Sequence, residues 1–274
     1  MSGGDRERPA RAALVVEGGA MRGVFAAGVL DAFLERGLDP FDLYIGASAG
    51  ACNLASHLAA QHGRNRALYT DYSCRPEFVS WRRFLAGGHL LDLDWMWEIT
   101  IREYRLDLER IYSGDRRFVV VVTDVHTGEA VYAEPTADTL EDYLKASSSL
   151  PYLYRHFHEL DGRTVADGGI ADSIPVEEAH RRGARTIVAV CSRPADHVKR
   201  SGVETLAFSW AFRRYPRLAA AMRRRADRYN ASLAFIRHPP PGVRVLQVAP
   251  PTDLPLGRFT RDPATLERAY RVGR

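Results

Sequence analysis

Apolar runs and helix-spaced apolar positions alternate along this chain from its first ordered motif onward. "AALVV", Ala12 to Val16, is a short continuous apolar run halted by the glycines of "EGGAMRG". The stretch after it, "VFAAGVLDAFLERG", sets Phe25, Val29, Ala32 and Phe33 at helical spacing and closes at Gly37. That unit of strand, loop and helix recurs at "FDLYIGASAGACNLASHLAA", with a strand from about Asp42 to Ile45, a tight turn and a small-residue helix. Further strands are expected at "RFVVVVTDV" (117–125), "AVYAE" (130–134) and "RTIVAVCS" (185–192), the first and last being continuous apolar runs of the kind covered on both faces. Alternating strands and helices predict an α/β fold, a three-layer α/β/α domain with a mostly parallel central sheet over residues 12–192. Residues 61–115 break the pattern with Tyr69, Tyr72, Phe78, Trp81, Phe84, Trp95, Trp97, Tyr104 and Tyr112, and read as a helical, aromatic-rich insertion. Residues 193–274 read as a mainly helical C-terminal extension, with a helix at "YPRLAAAMRRRADRYNASLAF", a strand candidate at "VRVLQVA" and a last helix near 263–271.

Charge divides the chain along the same line. Residues 193–274 hold 17 Lys and Arg against 6 Asp and Glu, a net +11; the whole chain carries +4, so the remainder is −7. A basic segment of this kind suits an anionic partner, a phospholipid surface or nucleic acid, or is simply a solvated arginine-rich surface. Arg217, Arg224 and Arg228 follow one another at spacings of seven and four, with Met222, Tyr229 and Leu233 on another face. That helix is a candidate for docking on anionic membrane, a solvated face with a core-facing stripe being the preferred reading, and nucleic acid is the disfavoured partner. Residues 1–11, "MSGGDRERPAR", read as a flexible N-terminus without an apolar leader, and no run approaches eighteen apolar residues. A cytoplasmic location is expected, with peripheral contact to the inner face of the membrane. Cys52, Cys74 and Cys191 are widely spaced without a CxxC pair, so no disulfide framework, metal site or cofactor is implied.

Three motifs carry chemistry. "YIGASAG" places Ser48 between Gly46-Ala47 and Ala49-Gly50 at a predicted strand-turn-helix junction, where small residues let the chain turn sharply and lift the hydroxyl clear of the backbone. "EGGAMRG", covering Gly18, Gly19, Ala20, Met21, Arg22 and Gly23, again precedes a helix and leaves backbone N–H groups to face an anion. A dinucleotide fingerprint fails at Ala20 and a P-loop pattern fails altogether, so an oxyanion hole is the better use of a glycine loop beside such a serine. Arg22 either binds an acidic headgroup or braces the loop, bracing being preferred. A serine nucleophile also needs a base. His156 and His158 flank Phe157, and His180 lies in a predicted helix; none sits at a strand end beside turn glycines. "LDGRTVADGGIADSIPV" offers Asp161-Gly162 as a hairpin turn and a return strand that delivers Asp167 to its end, followed by Gly168 and Gly169. As a base, that aspartate requires a partly desolvated site and direct contact with the hydroxyl.

Together "GGAMRG", "GASAG" and "DGG", in this order, resemble the patatin-like phospholipase family, and "ASSSLPYLY" (146–154) is similar to the family segment before the aspartate strand. "VVEGGAMRGVFAAGVLDAF" and "DSIPV" look like a bacterial branch that carries a C-terminal extension. The resemblance covers residues 12–192 and implies a Ser-Asp dyad: Ser48 as nucleophile, Asp167 as base, and amides around Gly18, Gly19 and Ala20 as the oxyanion hole, with Arg22 beside them. Many members have a third glycine where this chain has Ala20, which keeps its amide with less torsional freedom. The implied function is a lipid acyl hydrolase of phospholipase A or lysophospholipase type, working without a cofactor on a phospholipid or other acyl ester; the aromatic insertion either walls its chain pocket or packs in the core. An acyltransferase or general carboxylesterase would use the same dyad. A nucleotide-binding or interaction module is the more distant alternative.

Overall fold

A computed structural model describes residues 11–151, 153–200 and 212–274. The flexible N-terminus expected at residues 1–11 lies outside the described residues except for Arg11. Among the described residues, eight strands form one sheet: β1 (Ala12–Val16), β2 (Leu43–Ala47), β3 (Arg117–Asp124), β4 (Ala130–Ala133), β5 (His158–Leu160), β6 (Arg163–Asp167), β7 (Thr186–Val190) and β8 (Arg244–Val248). Their order is β5-β6-β3-β2-β1-β7-β8, with β4 paired to β3. β3, β2, β1, β7 and β8 run parallel; β4 and β6 run antiparallel to β3, and β5 antiparallel to β6.

Strand residues alternate between two apolar layers, as a period of two with both faces covered requires. Leu14, Val16, Tyr44, Val120 and Val122 face one core with α1 (Gly23–Glu35), α2 (Ala49–Leu58) and α7 (Leu140–Ser148). Ala13, Val15, Leu43, Ile45, Val119 and Val121 face the other, against α8 (Val176–Arg181) and α9 (Pro216–Arg237). The insertion supplies short helices: α3 (Arg64–Ala67), α4 (Trp81–Leu85), α5 (Leu93–Glu103) and α6 (Leu108–Ile111).

The sheet continues past residue 192, because β8 pairs in parallel with β7 from Thr186↔Arg244 to Val190↔Val248. Helix α9 turns Leu218, Met222, Tyr229, Leu233 and Ile236 inward, so its apolar stripe belongs to the core. Met222, Tyr229 and Leu233 are therefore not a free apolar face. The last helix, α10 (Pro263–Gly273), lies on α1 so closely that a Cβ on Gly28 would strike the Tyr270 carbonyl oxygen. Tyr270 also donates its hydroxyl to Asp31 at 2.7 Å. None of the helices among the described residues is long and apolar enough to cross a membrane.

Candidate active site

The parallel strands β1, β2 and β7 end together, Val16 standing opposite both Gly46 and Val190. Ligand sites of open α/β sheets form at this carboxyl edge. β2 leads there directly into Ser48, which caps α2 with φ 53° and ψ −128°. A non-glycine residue in this region is strained, and the neighbouring glycines make the turn possible. A Cβ on Gly46 would sit 2.6 Å from the Ala51 nitrogen, and one on Gly50 would run into the Val16 carbonyl oxygen. Ser48 N–H donates to Ser147 Oγ at 2.7 Å, and Ser147 donates onward to the Val121 carbonyl at 2.6 Å. The strained turn is thus tied to β3.

Asp167 reaches the same place from the far side of β3. β3 runs three residues beyond Val121, the partner of Ala47, and antiparallel β6 pairs with that overhang, Val122 lying opposite Asp167. Asp161 (φ 49°) and Gly162 (φ 72°) make the two-residue turn that reverses the chain. Ser48 and Asp167 are thereby two strand spacings apart at the backbone, about 9–10 Å, with their side chains close enough for the Ser48 hydroxyl to favour the ionised Asp167 carboxyl. Gly168 lets the chain pass over β3, since its Cβ would collide with the Val121 carbonyl. Burial raises the Asp167 carboxyl above the ordinary aspartate range. The Arg225 charge, the Ser48 hydroxyl, the Gly169 N–H (2.8 Å) and the Arg258 charge oppose that rise. A carboxylate held this way is a stronger base than a solvated one and still has support for its charge.

In the glycine loop most amides are already committed. Gly18 N–H donates to the Ser173 carbonyl (3.2 Å), Met21 to that of Arg258 (3.4 Å), Arg22 to that of Gly19 (3.2 Å), and Gly23 to those of Ala20 and Met21. Gly19 and Ala20 keep N–H groups without a partner among the described residues, as does Ala49 at the start of α2, where helix amides are left over. The six-residue loop thus narrows to two donors, with Ala49 a third from the serine turn. Ala20 sits at φ 51°, where alanine is less at ease than the glycine that many resembling chains have. Beneath the loop, buried Glu17 accepts from Ser192 N–H (2.6 Å) and from Ser192 Oγ (2.7 Å), and Arg22 Nε donates to Ser192 Oγ at 3.3 Å. Arg22 therefore braces the loop from below; burial pushes its guanidinium down to about 10.

The histidines lie elsewhere. His158 Nε2 shares a hydrogen bond with Ser149 Oγ at 2.8 Å and stacks on Tyr154, while His180 packs on Phe235. His156 stands edge-on to His89. Ser149 links His158 indirectly to the base strand, since its carbonyl accepts from Asp167 N–H at 3.1 Å.

Ser48, Ala20 and Met21 open onto a cavity of about 180 Å³ walled mainly by apolar side chains, among them Leu68, Phe78, Leu91, Met96, Leu106 and Leu144. Of the aromatic residues in the insertion, Tyr69, Phe78 and Trp97 line it; Tyr72 and Tyr104 pack in the cluster that includes the lining residues Phe78 and Met96, and Trp81 faces outward. One end is polar. Arg64 donates Nε to the Tyr104 carbonyl (2.7 Å) and Nη1 to Ser56 Oγ (2.8 Å), and burial lowers it to about 10. Asn53 donates to the Gly23 carbonyl (2.8 Å), leaving a buried Oδ1 with no partner among the described residues.

Sequence reasoning missed Glu17, Ser147, Ser192 and Arg225. Arg225 donates Nε to the Gly169 carbonyl at 2.7 Å from helix α9, so the basic C-terminal segment reaches the base motif itself. Arg228, from the same helix, donates to the Ala171 carbonyl (3.2 Å) and pairs with Glu129 (2.9 Å).

An α/β sheet with a serine at a strained strand-helix turn and a buried aspartate beside it defines a protein built around one polar pair at the sheet's carboxyl edge. The chain matches the model of patatin-like phospholipase over residues 14–180, and it belongs to that family. A second model, described as a domain of unknown function (DUF6363), matches residues 215–274. The uncharacterized protein YjjU of Escherichia coli is 35% identical, over 97% of this chain and 76% of that one. An uncharacterized NTE family protein of Mycobacterium tuberculosis is 29% identical, over 66% of this chain and 48% of its own length. Lysophospholipase NTE1 of Saccharomyces cerevisiae is 28% identical over 67% of this chain, which spans 11% of the yeast protein.

Proposed function

We propose that the chain is a serine acyl hydrolase acting on lipid esters, with Ser48 as nucleophile and Asp167 as base. One observation carries the reading: a buried carboxylate whose charge is favoured by the hydroxyl of a strained, helix-capping serine that lines an apolar cavity. Its family, and relatives named lysophospholipases, agree with a lipid ester as substrate. Asp167 takes the hydroxyl proton as Ser48 Oγ attacks the ester carbonyl, and the Gly19, Ala20 and Ala49 amides receive the oxyanion. The alcohol leaves with the proton from Asp167, and an acyl-Ser48 ester remains. Water, giving its proton to Asp167, then attacks that ester, and collapse returns the proton to Ser48 and frees the fatty acid.

The test is a series of monoacyl esters, including lysophospholipids, scored for free fatty acid. Wild type should release it even when alcohols are added as acceptors. Transfer to the alcohol with little free acid would make the chain an acyltransferase, and no turnover of any ester would end the reading.

Chain length gives a second expected result. The Arg64 contact at Ser56 lies eight residues beyond Ser48 along α2, about 12 Å at the rise of a helix. Each methylene buried adds about 0.8 kcal/mol, roughly fourfold in kcat/KM. The gain should accumulate up to the polar end at Arg64 and Asn53 and then cease. A rise that continues through long chains would contradict this.

Arg225 gives a third. Its charge favours the ionised form of Asp167, so Arg225→Met should push that carboxyl still higher. The base must be ionised, so the acid limb of the kcat/KM profile should move to higher pH, with the alkaline side much less affected. An acid limb that stays in place or moves down would remove Arg225 from this role.

A further inference from the structure

Two large apolar side chains stand out from one short helix. Trp81 and Leu85, at opposite ends of α4, are 64% and 83% exposed, while Phe84 between them turns inward to pack with Val79 and Leu90. Phe259, on the loop before α10, is 54% exposed. These residues lie on or beside segments that line the cavity. Val79, two positions before Trp81, and Phe259 both line the cavity, and Arg261 Nη1 donates to the Val79 carbonyl at 3.3 Å, tying the two segments together.

Scattered exposed apolar residues need no explanation, but large ones carried on segments that line an apolar cavity mark a contact surface. Its charge is basic. Arg82 projects from α4, and Arg155 lies 5.0 Å above the Phe84 ring and donates to the Phe84 carbonyl at 3.2 Å. Neither makes an ion pair among the described residues. A tryptophan beside arginines is the composition of an interfacial anchor, the ring seated at headgroup depth and the cations on anionic lipid. Helix α9 lacks this combination, since its apolar stripe is used in the core.

We propose that the surface formed by α4 and the Phe259 loop docks on an anionic lipid bilayer, so that the cavity opens onto the membrane and an acyl chain enters without crossing water. The choice of a lipid partner rests on the hydrolase reading; the surface itself does not depend on the dyad.

The full chain carrying Ser48→Ala is mixed with vesicles of phosphatidylcholine, alone and with phosphatidylglycerol, and bound protein is measured by sedimentation. Binding should favour the mixed vesicles, weaken with salt, and fall about tenfold or more when Trp81→Ala and Leu85→Ala are added, since both side chains lose their apolar burial. Tryptophan emission should shift to the blue on binding and lose most of that shift with Trp81. On an active Ser48 background, Trp81→Ala/Leu85→Ala should hydrolyse a water-soluble short-chain ester at the wild-type rate, which also shows that it folds. Absence of binding, binding unaffected by the double substitution, or self-association that the substitution abolishes would each overturn the proposal. Failure of wild type on the soluble ester would instead count against the dyad and leave the vesicle result intact.

Discussion

Asp167→Asn should lower kcat/KM by about 10³–10⁴-fold, roughly 4–5.5 kcal/mol of transition-state stabilisation, and should at the same time raise the melting temperature at neutral pH. The first effect follows from removing the only base in contact with the Ser48 hydroxyl in the proposed mechanism. The second follows from linkage. Burial raises the folded-state pKa of Asp167, so the folded protein holds that proton more tightly than the unfolded chain does. Stability is therefore lost as pH climbs from the ordinary aspartate range through the folded-state value, and the loss is complete above it. An uncharged amide removes that loss, and each kcal/mol regained is worth about 2–4 °C for a chain of this size. Thermal melts of the two proteins at several pH values should diverge as pH rises. Wild-type activity in the variant, or equal melting temperatures throughout, would contradict the assignment.

Ser48→Ala should remove about 10⁵-fold in kcat and reach the assay floor, because no second nucleophile takes over an acyl-enzyme pathway. The fold should survive. Alanine meets no more difficulty than serine at φ 53°, and the N–H bond to Ser147 and the Ser48 carbonyl contacts to Ala51 and Cys52 belong to the backbone. An inactive protein with a normal melt is the expected outcome, whereas residual turnover that is still saturable and ester-specific would mean that another group performs the attack.

How far these residues were legible in sequence depends on what held them. β3 and β7 announced themselves as continuous apolar runs because both their faces are covered, and Asp161-Gly162 announced the hairpin because a two-residue turn needs positive φ at both positions. Ser48 and Asp167 were legible because each sits beside glycines that a close backbone approach demands at Gly46, Gly50 and Gly168. The supporting residues carry no such local mark. Glu17 and Ser192 are 175 positions apart, Ser48 and Ser147 are 99 apart, and Arg225 reaches Gly169 across 56 residues. Their pairing is a product of sheet order, which no spacing along the chain encodes. The commitment of the Gly18 amide to Ser173 was hidden for the same reason. In the insertion, the loose aromatic pattern did not separate Tyr69, Phe78 and Trp97, which wall the cavity, from Trp81, which stands outside it.

In the proposed mechanism one serine, activated by one aspartate, carries acyl transfer. Reaction with a fluorophosphonate ester followed by intact-mass and peptide mapping tests it most directly. A single phosphonyl adduct is expected on the peptide containing Ser48, none in Ser48→Ala, and much slower formation in Asp167→Asn. An unmodified wild type, or an adduct that maps to another residue and forms equally in Ser48→Ala, would contradict it.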